Sequence, residues 1–67
     1  MAAYKIIYLN DSNELIKSET VFMQGLRGAK TSSASRAPSC TVKIELRDIA
    51  GRLLAYKENN RWKECAA

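Results

Sequence analysis

The sequence predicts an α+β domain, a five-stranded antiparallel sheet with one short helix on one face, in the order β-β-α-β-β-β. Three observations support this fold class. Residues with strand preference occupy both ends of the 67-residue chain. Clusters of Asn, Asp and Ser interrupt these segments where turns are needed. One central segment repeats apolar and small residues at helical spacing and ends at a proline.

The first two strands are expected to form a hairpin. Residues 3–9 are rich in β-branched and aromatic side chains, and the Asn-Asp-Ser-Asn run at residues 10–13 then breaks the strand. Residues 14–22 alternate loosely and return as the second strand. Leu15 and Ile16 are adjacent apolar residues, which indicates either a bulge or a strand that is buried on both faces near its start.

Residues 24–37 are predicted to form the helix. Four small or apolar residues recur there at helical spacing, namely Leu26, Ala29, Ser33 and Ala37. Pro38 follows where a helix should end. Two glycines and a Thr-Ser-rich run at residues 31–35 are weak helix formers, so a flexible basic loop is the alternative. In the helix, Arg27 and Lys30 lie one turn apart and are expected together on the exposed side.

The last three strands are predicted from alternation and turn chemistry. Residues 41–48 form the clearest strand, because three apolar residues alternate with three charged ones. A turn at residues 49–51 leads into strands over residues 52–58 and 61–65. The Asn59-Asn60 pair between these strands suits a two-residue turn, since Asn tolerates positive φ.

Length and composition argue against catalysis. A chain of this size forms one small domain, residues 1–67, with a thin core. It has no His and two Cys, which cannot complete a four-ligand zinc shell or a His-based nucleophile pair. We therefore expect no enzyme activity, no catalytic or metal-binding residues, no cofactor and no small-molecule ligand. Cys40 and Cys65 are expected as free thiols in a reducing cytosol, with a disulfide as the alternative.

The charge distribution predicts an acidic partner. The net charge is +4, and residues 1–21 carry −1, residues 22–44 carry +4 and residues 45–67 carry +1. A positive field concentrated in the middle segment suits nucleic acid or a protein with acidic features. No run of about 18 apolar residues and no signal peptide are present, so we expect no membrane contact and a cytoplasmic protein.

A nucleic-acid-binding sheet is one hypothesis. One helix covers only one face of a five-stranded sheet, so the other face is left to solvent or a partner. Sheets that bind single strands combine exposed aromatics with bases. The candidates are Tyr4, Tyr8, Tyr56 and Trp62 with Lys5, Lys43, Arg47, Arg61 and Lys63. In so small a domain, however, Trp62, Tyr56 and at least one of Tyr4 and Tyr8 are expected to lie in the core or at its edge, because aromatic side chains bury large areas.

A resemblance to a known family gives a second hypothesis. The segments that carry it are Thr41-Val42, Ile44-Glu45, Leu54-Ala55-Tyr56-Lys57-Glu58, Arg61-Trp62 and Cys65. Ala3-Tyr4, Ile6-Ile7 and Leu26-x-x-Ala29-Lys30 extend the same order toward the N-terminus. In this order and spacing the chain resembles the ninth family of phage anti-CRISPR proteins that inhibit type I-F CRISPR-Cas systems. The resemblance covers nearly the whole chain and is dense over residues 41–65.

The resemblance implies the same fold and a specific function. Members of the family inhibit the crRNA-guided type I-F surveillance complex in the host bacterial cytoplasm. They sit on its Cas backbone subunits, block hybridisation of the target DNA and can promote nonspecific DNA contact. Family contacts come largely from bases, which implies partner-binding roles for Lys30, Arg36 and Arg61. Arg27 and Lys43 are further candidates from their charge, whereas Thr31 departs from the family, which has a base there.

Overall fold

The computed structural model describes residues 2–65 and confirms the predicted fold class. The strands are β1 (Ala2–Leu9), β2 (Leu15–Met23), β3 (Lys43–Arg47), β4 (Leu53–Glu58) and β5 (Arg61–Glu64), and the helix is α1 (Leu26–Arg36). The helical interpretation of the central segment is thus confirmed over its flexible-loop alternative. The helix ends at Arg36, two residues before Pro38. Ala37, directly before the proline, is extended because a residue in that position disfavours helical backbone.

The five strands form one sheet in the order β2-β1-β3-β4-β5. Every neighbouring pair is antiparallel. Because β2 and β3 both flank β1, they run in the same direction, and α1 is the crossover that joins them. The helix therefore lies on one face of the sheet, which we call the helix side; we call the opposite face the open face.

The turns use residues that tolerate left-handed backbone. Asn59 and Asn60 have φ of 54° and 62°, as a two-residue hairpin turn between twisted strands requires. Gly51, before β4, has φ of 92°. In the first hairpin, the side-chain oxygen of Asn10 accepts hydrogen bonds from the backbone N–H groups of Ser12 and Glu14, both at 2.9 Å.

The predicted irregularity at the start of β2 is a bulge. The register of β1 and β2 shifts between Tyr8 and Leu9, which pair with Lys17 and Leu15. Ile16 is therefore the extra residue. The bulge lies on an edge strand, where it interrupts the regular row of hydrogen-bonding groups that another strand could use.

The core lies between the sheet and α1. Ile6, Tyr8 and Leu46 are fully buried and lead a cluster that also contains Tyr4, Val21, Ala29, Ile44 and Ala55. The helix contributes Ala29 and Ser33 to the interior, both 0% exposed. Small side chains let the helix approach the sheet closely but bury little apolar area, so packing alone stabilises α1 only modestly.

The ends of α1 add little stability of their own. Its N-cap residue is Gly25, which makes no side-chain capping hydrogen bond, and no acidic residue lies in the first turn. Arg36 lies in the last turn, where a cation interacts favourably with the helix dipole. The helix therefore depends on contacts with the sheet.

Tyr8→Phe should stabilise the protein. The Tyr8 hydroxyl is buried and has no hydrogen-bond partner. Removing a buried unsatisfied hydroxyl should raise the free energy of unfolding by about 1 kcal/mol. Thermal unfolding followed by circular dichroism should show a gain of about 4–8 °C. Tyr4→Phe is the matched control, because Tyr4 lies in the same core but its hydroxyl is not among the buried unsatisfied atoms.

The same substitution should change the response to alkali. Burial, and then the charge of Glu19, raise the pKa of Tyr8 above its ordinary value of 10.0. The unfolded chain therefore loses this proton first, and stability falls as pH rises through about 10. Tyr8→Phe should remove that part of the decline. A Tyr8→Phe variant with lower stability than the wild type at pH 7 would contradict this description of the core.

Candidate binding surfaces

The candidate binding groups of this chain are the charged side chains on its surface. Among residues 2–65 no three His, Cys, Asp or Glu side chains converge as a metal site would require. No helix in the same range has the length and apolar character to cross a bilayer. Cys40 and Cys65 are both free and exposed.

The structure separates the five predicted binding residues into two groups. Arg27, Lys30 and Arg36 lie on α1, on the helix side. Lys43 and Arg61 lie on β3 and β5 and point to the open face, because they alternate with residues that point toward the helix. No single surface therefore presents all five.

Lys30 is not on the exposed side of the helix, and that prediction is wrong. Only 18% of its side chain is exposed. Its ammonium forms a hydrogen-bonded ion pair with Glu64 and lies 5.9 Å from the centre of the Trp62 ring. Alanine and serine fill the inner side of α1 and let the helix lie close enough for Lys30 to reach β5. The Lys30–Glu64 ion pair therefore joins the helix to β5, at the edge of the sheet.

Arg36 forms a second ion pair with the sheet, at the other end of the helix. Its Nη2 atom lies 3.3 Å from Oε1 of Glu19 on β2. Lys17 lies 3.3 Å from the other oxygen of that carboxylate. Glu19 is shielded, with 13% of its side chain exposed, whereas Arg36 is 53% exposed. Arg36 is therefore exposed enough to meet a partner, although Glu19 partly balances its charge.

Arg27 is the helix base with the most freedom. It is exposed in the first turn of α1 and forms no ion pair among residues 2–65. Its backbone carbonyl accepts a hydrogen bond from the Thr31 hydroxyl at 3.1 Å. The Thr31 hydroxyl is thus used within the helix.

The open face carries an ordered cluster of charges around Glu45. Arg47 donates to one Glu45 oxygen from Nε at 3.1 Å and from Nη2 at 2.9 Å. Its Nη1 donates to the carbonyl of Gly51 at 2.8 Å. Lys43 lies 3.7 Å from the other Glu45 oxygen and 5.3 Å from the centre of the Tyr56 ring. One carboxylate thus positions two bases.

Three further bases on the open face have no acidic partner among residues 2–65. These are Lys5, Arg61 and Lys63. Lys5 lies directly opposite Arg47, and Lys63 lies directly opposite Tyr56. Of these three, only Arg61 is among the predicted partner-binding residues. Strand alternation is the sequence signal that places Lys5 and Lys63 on the same face as Arg61.

The four aromatic residues of the nucleic-acid hypothesis are poorly placed for stacking on bases, whereas Phe22 is 67% exposed on the open face of β2. Tyr4 and Tyr8 are buried in the core. Trp62 is half-buried on the helix side, beside the Lys30 ammonium. Tyr56 is half-buried on the open face, with the Lys43 ammonium over its ring. Around the bases of β3, β4 and β5 the open face is therefore mainly charged.

Comparison with known proteins returned no match. No family model, curated protein or solved structure matches this chain.

The Lys30–Glu64 ion pair should be visible in the titration of the Glu64 carboxyl group. The hydrogen bond from Lys30, and then its charge, lower the pKa of Glu64 below its ordinary value of 4.5. The contribution of this pair to stability should be present above pH 4.5 and lost as pH falls through the depressed pKa. Carboxyl ¹³C shifts followed by NMR should show the low midpoint in the wild type. Lys30→Gln should return the midpoint toward its ordinary value, and an unchanged midpoint in that variant would contradict the pair.

Proposed function

We propose that this protein is an inhibitor of the crRNA-guided type I-F CRISPR surveillance complex. It binds the Cas backbone subunits and blocks hybridisation of the target DNA with the guide. The observation that carries the proposal is the position of Arg61. The resemblance assigns a shared base there, and the same residue is exposed at the start of β5 with no acidic partner among residues 2–65.

Inhibition by occlusion needs a rigid body of sufficient size. The domain measures 31 × 22 × 20 Å, so its largest face outlines about 700 Å². That is close to the roughly 800 Å² that each partner contributes to a standard stable interface. Such an inhibitor needs no pocket and no catalytic group, because it acts by occupying the path of the nucleic acid.

The five candidate residues differ in what binding would cost. Arg27 and Arg61 are exposed and unpaired among the described residues, so they can meet a carboxylate of the partner directly. Lys30, Arg36 and Lys43 already face carboxylates of this chain. Each of these three would have to share or exchange its partner, which reduces the net gain.

Arg61→Gln should weaken inhibition. A purified type I-F surveillance complex is incubated with the protein, and its binding of labelled target DNA is then measured by gel shift. Loss of an interfacial charge should raise the concentration for half inhibition by about tenfold. Arg52→Gln is the matched control, because it has the same net charge and removes a base that is 72% exposed and paired only with Asp48.

Target-DNA binding measured with the wild-type protein tests the proposed function itself. Full target binding in the presence of a large excess of wild-type protein would contradict the inhibitor function. Equal inhibition by the Arg61→Gln and Arg52→Gln variants would leave the function intact but remove Arg61 from the site.

A small phage or mobile-element nucleic-acid-binding domain is the second candidate. The unpaired Lys5, Arg61 and Lys63 on the open face favour it. Phosphate contacts of this kind would give direct DNA binding that weakens steeply with salt. A shift of labelled DNA by the protein alone, without the complex, distinguishes this candidate from the inhibitor.

A further inference from the structure

We propose that the open face, rather than the helix side, is the docking surface, and that it binds a carboxylate-rich patch on a protein. Its residues are Lys5, Ile7, Lys43, Glu45, Arg47, Tyr56, Arg61 and Lys63. The inference rests on the proposed function, which it extends by assigning a face and the chemistry of the surface that meets it.

The first argument is the excess of bases on the open face. Five bases of β1, β3 and β5 lie there with two acidic residues of β3 and β4, Glu45 and Glu58. Lys5 lies directly opposite Arg47, whose charge Glu45 balances, and Lys5 itself forms no ion pair among residues 2–65. The net positive charge of this face favours an anionic partner.

The second argument is that the Arg47 side chain is already held in one conformation. Glu45 fixes Arg47 by two hydrogen bonds, and the Gly51 carbonyl fixes it by a third. A guanidinium has five N–H donors, so two remain for an incoming carboxylate. Because the side chain is already held in place, binding through those two donors costs less conformational entropy than ordering a free arginine.

The third argument selects a protein over nucleic acid. Glu45 and Glu58 lie among the bases of the open face. A continuous phosphate chain crossing the sheet would meet these carboxylates, whereas a protein can place its acids opposite the bases alone. Tyr56 already carries the Lys43 ammonium over its ring, which leaves it poorly suited to stacking on a base.

The centre of the open face also fits a protein interface. Ile7 and Tyr56, both half-buried, flank Glu45 on β1 and β4 at the same level of the sheet. These two side chains add apolar area beside the charged cluster around Glu45, and protein interfaces combine apolar and polar contacts. A second copy of the chain is a poor occupant, because two open faces would each bring the same excess of bases.

The test compares two double variants of equal net charge. Lys5→Gln/Lys63→Gln removes two unpaired bases from the open face. Lys17→Gln/Arg52→Gln removes two exposed bases that lie outside it. Affinity for the immobilised type I-F surveillance complex is measured by biolayer interferometry at one ionic strength. We expect the open-face variant to bind at least about tenfold more weakly and the control to change by less than about threefold.

A charge-preserving variant separates docking from folding. Lys5→Arg/Lys63→Arg should bind within about threefold of the wild type, since it keeps both cations. Circular dichroism of every variant should match that of the wild type. Weak binding by the arginine variant, despite a native spectrum, would contradict a role for charge on this face.

The outcomes are distinguishable from failure of the proposed function. If the wild type does not bind the complex, the proposed function fails and this inference fails with it. If the wild type binds and the two Gln double variants bind equally, only the inference fails. If the wild type binds a labelled 20-nucleotide single strand without the complex and Lys5→Gln/Lys63→Gln abolishes that binding, the open face is a nucleic-acid surface and the protein partner is wrong.

Discussion

The packing of one 11-residue helix on a five-stranded sheet is the constraint on which the surface depends. The helix covers one face and buries Tyr8, Ile6 and Leu46 beneath it. Among the described residues nothing covers the opposite face of the sheet. The side chains that alternate with the core residues along the strands therefore lie exposed there, and many of them are charged. The open face thus results from the same arrangement that forms the core, one helix on one side of the sheet. A partner bound to the open face would add a third layer.

Two ion pairs join the helix to the sheet beside its small apolar contacts. Ala29 and Ser33 allow a close approach to the sheet but bury little apolar area. Lys30 and Arg36 then join the helix to β5 and β2 through acidic partners on those strands. The bases of the middle segment, which give the chain its most positive third, are therefore partly used within the fold. The bases that remain free lie mostly on strands, where the local sequence is nearly neutral.

Local patterns predicted most of the fold because local physics determines those elements. Alternation predicted β3, the Asn59-Asn60 pair predicted a tight turn, and Pro38 predicted the end of α1. The ion pair of Lys30 joins residues 34 positions apart, and spacing gives no information about such a partner. For the same reason the sequence could list the bases but not tell which ones were neutralised. Strand register is the information that separates them.

Electron cryomicroscopy of the type I-F surveillance complex mixed with this protein would test the central claim most directly. We expect density for the small domain on the Cas backbone subunits, along the path of the target DNA, with the open face against acidic side chains and α1 turned away. Density that places α1 against the subunits would contradict the docking surface. A complex free of added density at saturating protein would contradict inhibition by occupation of the complex.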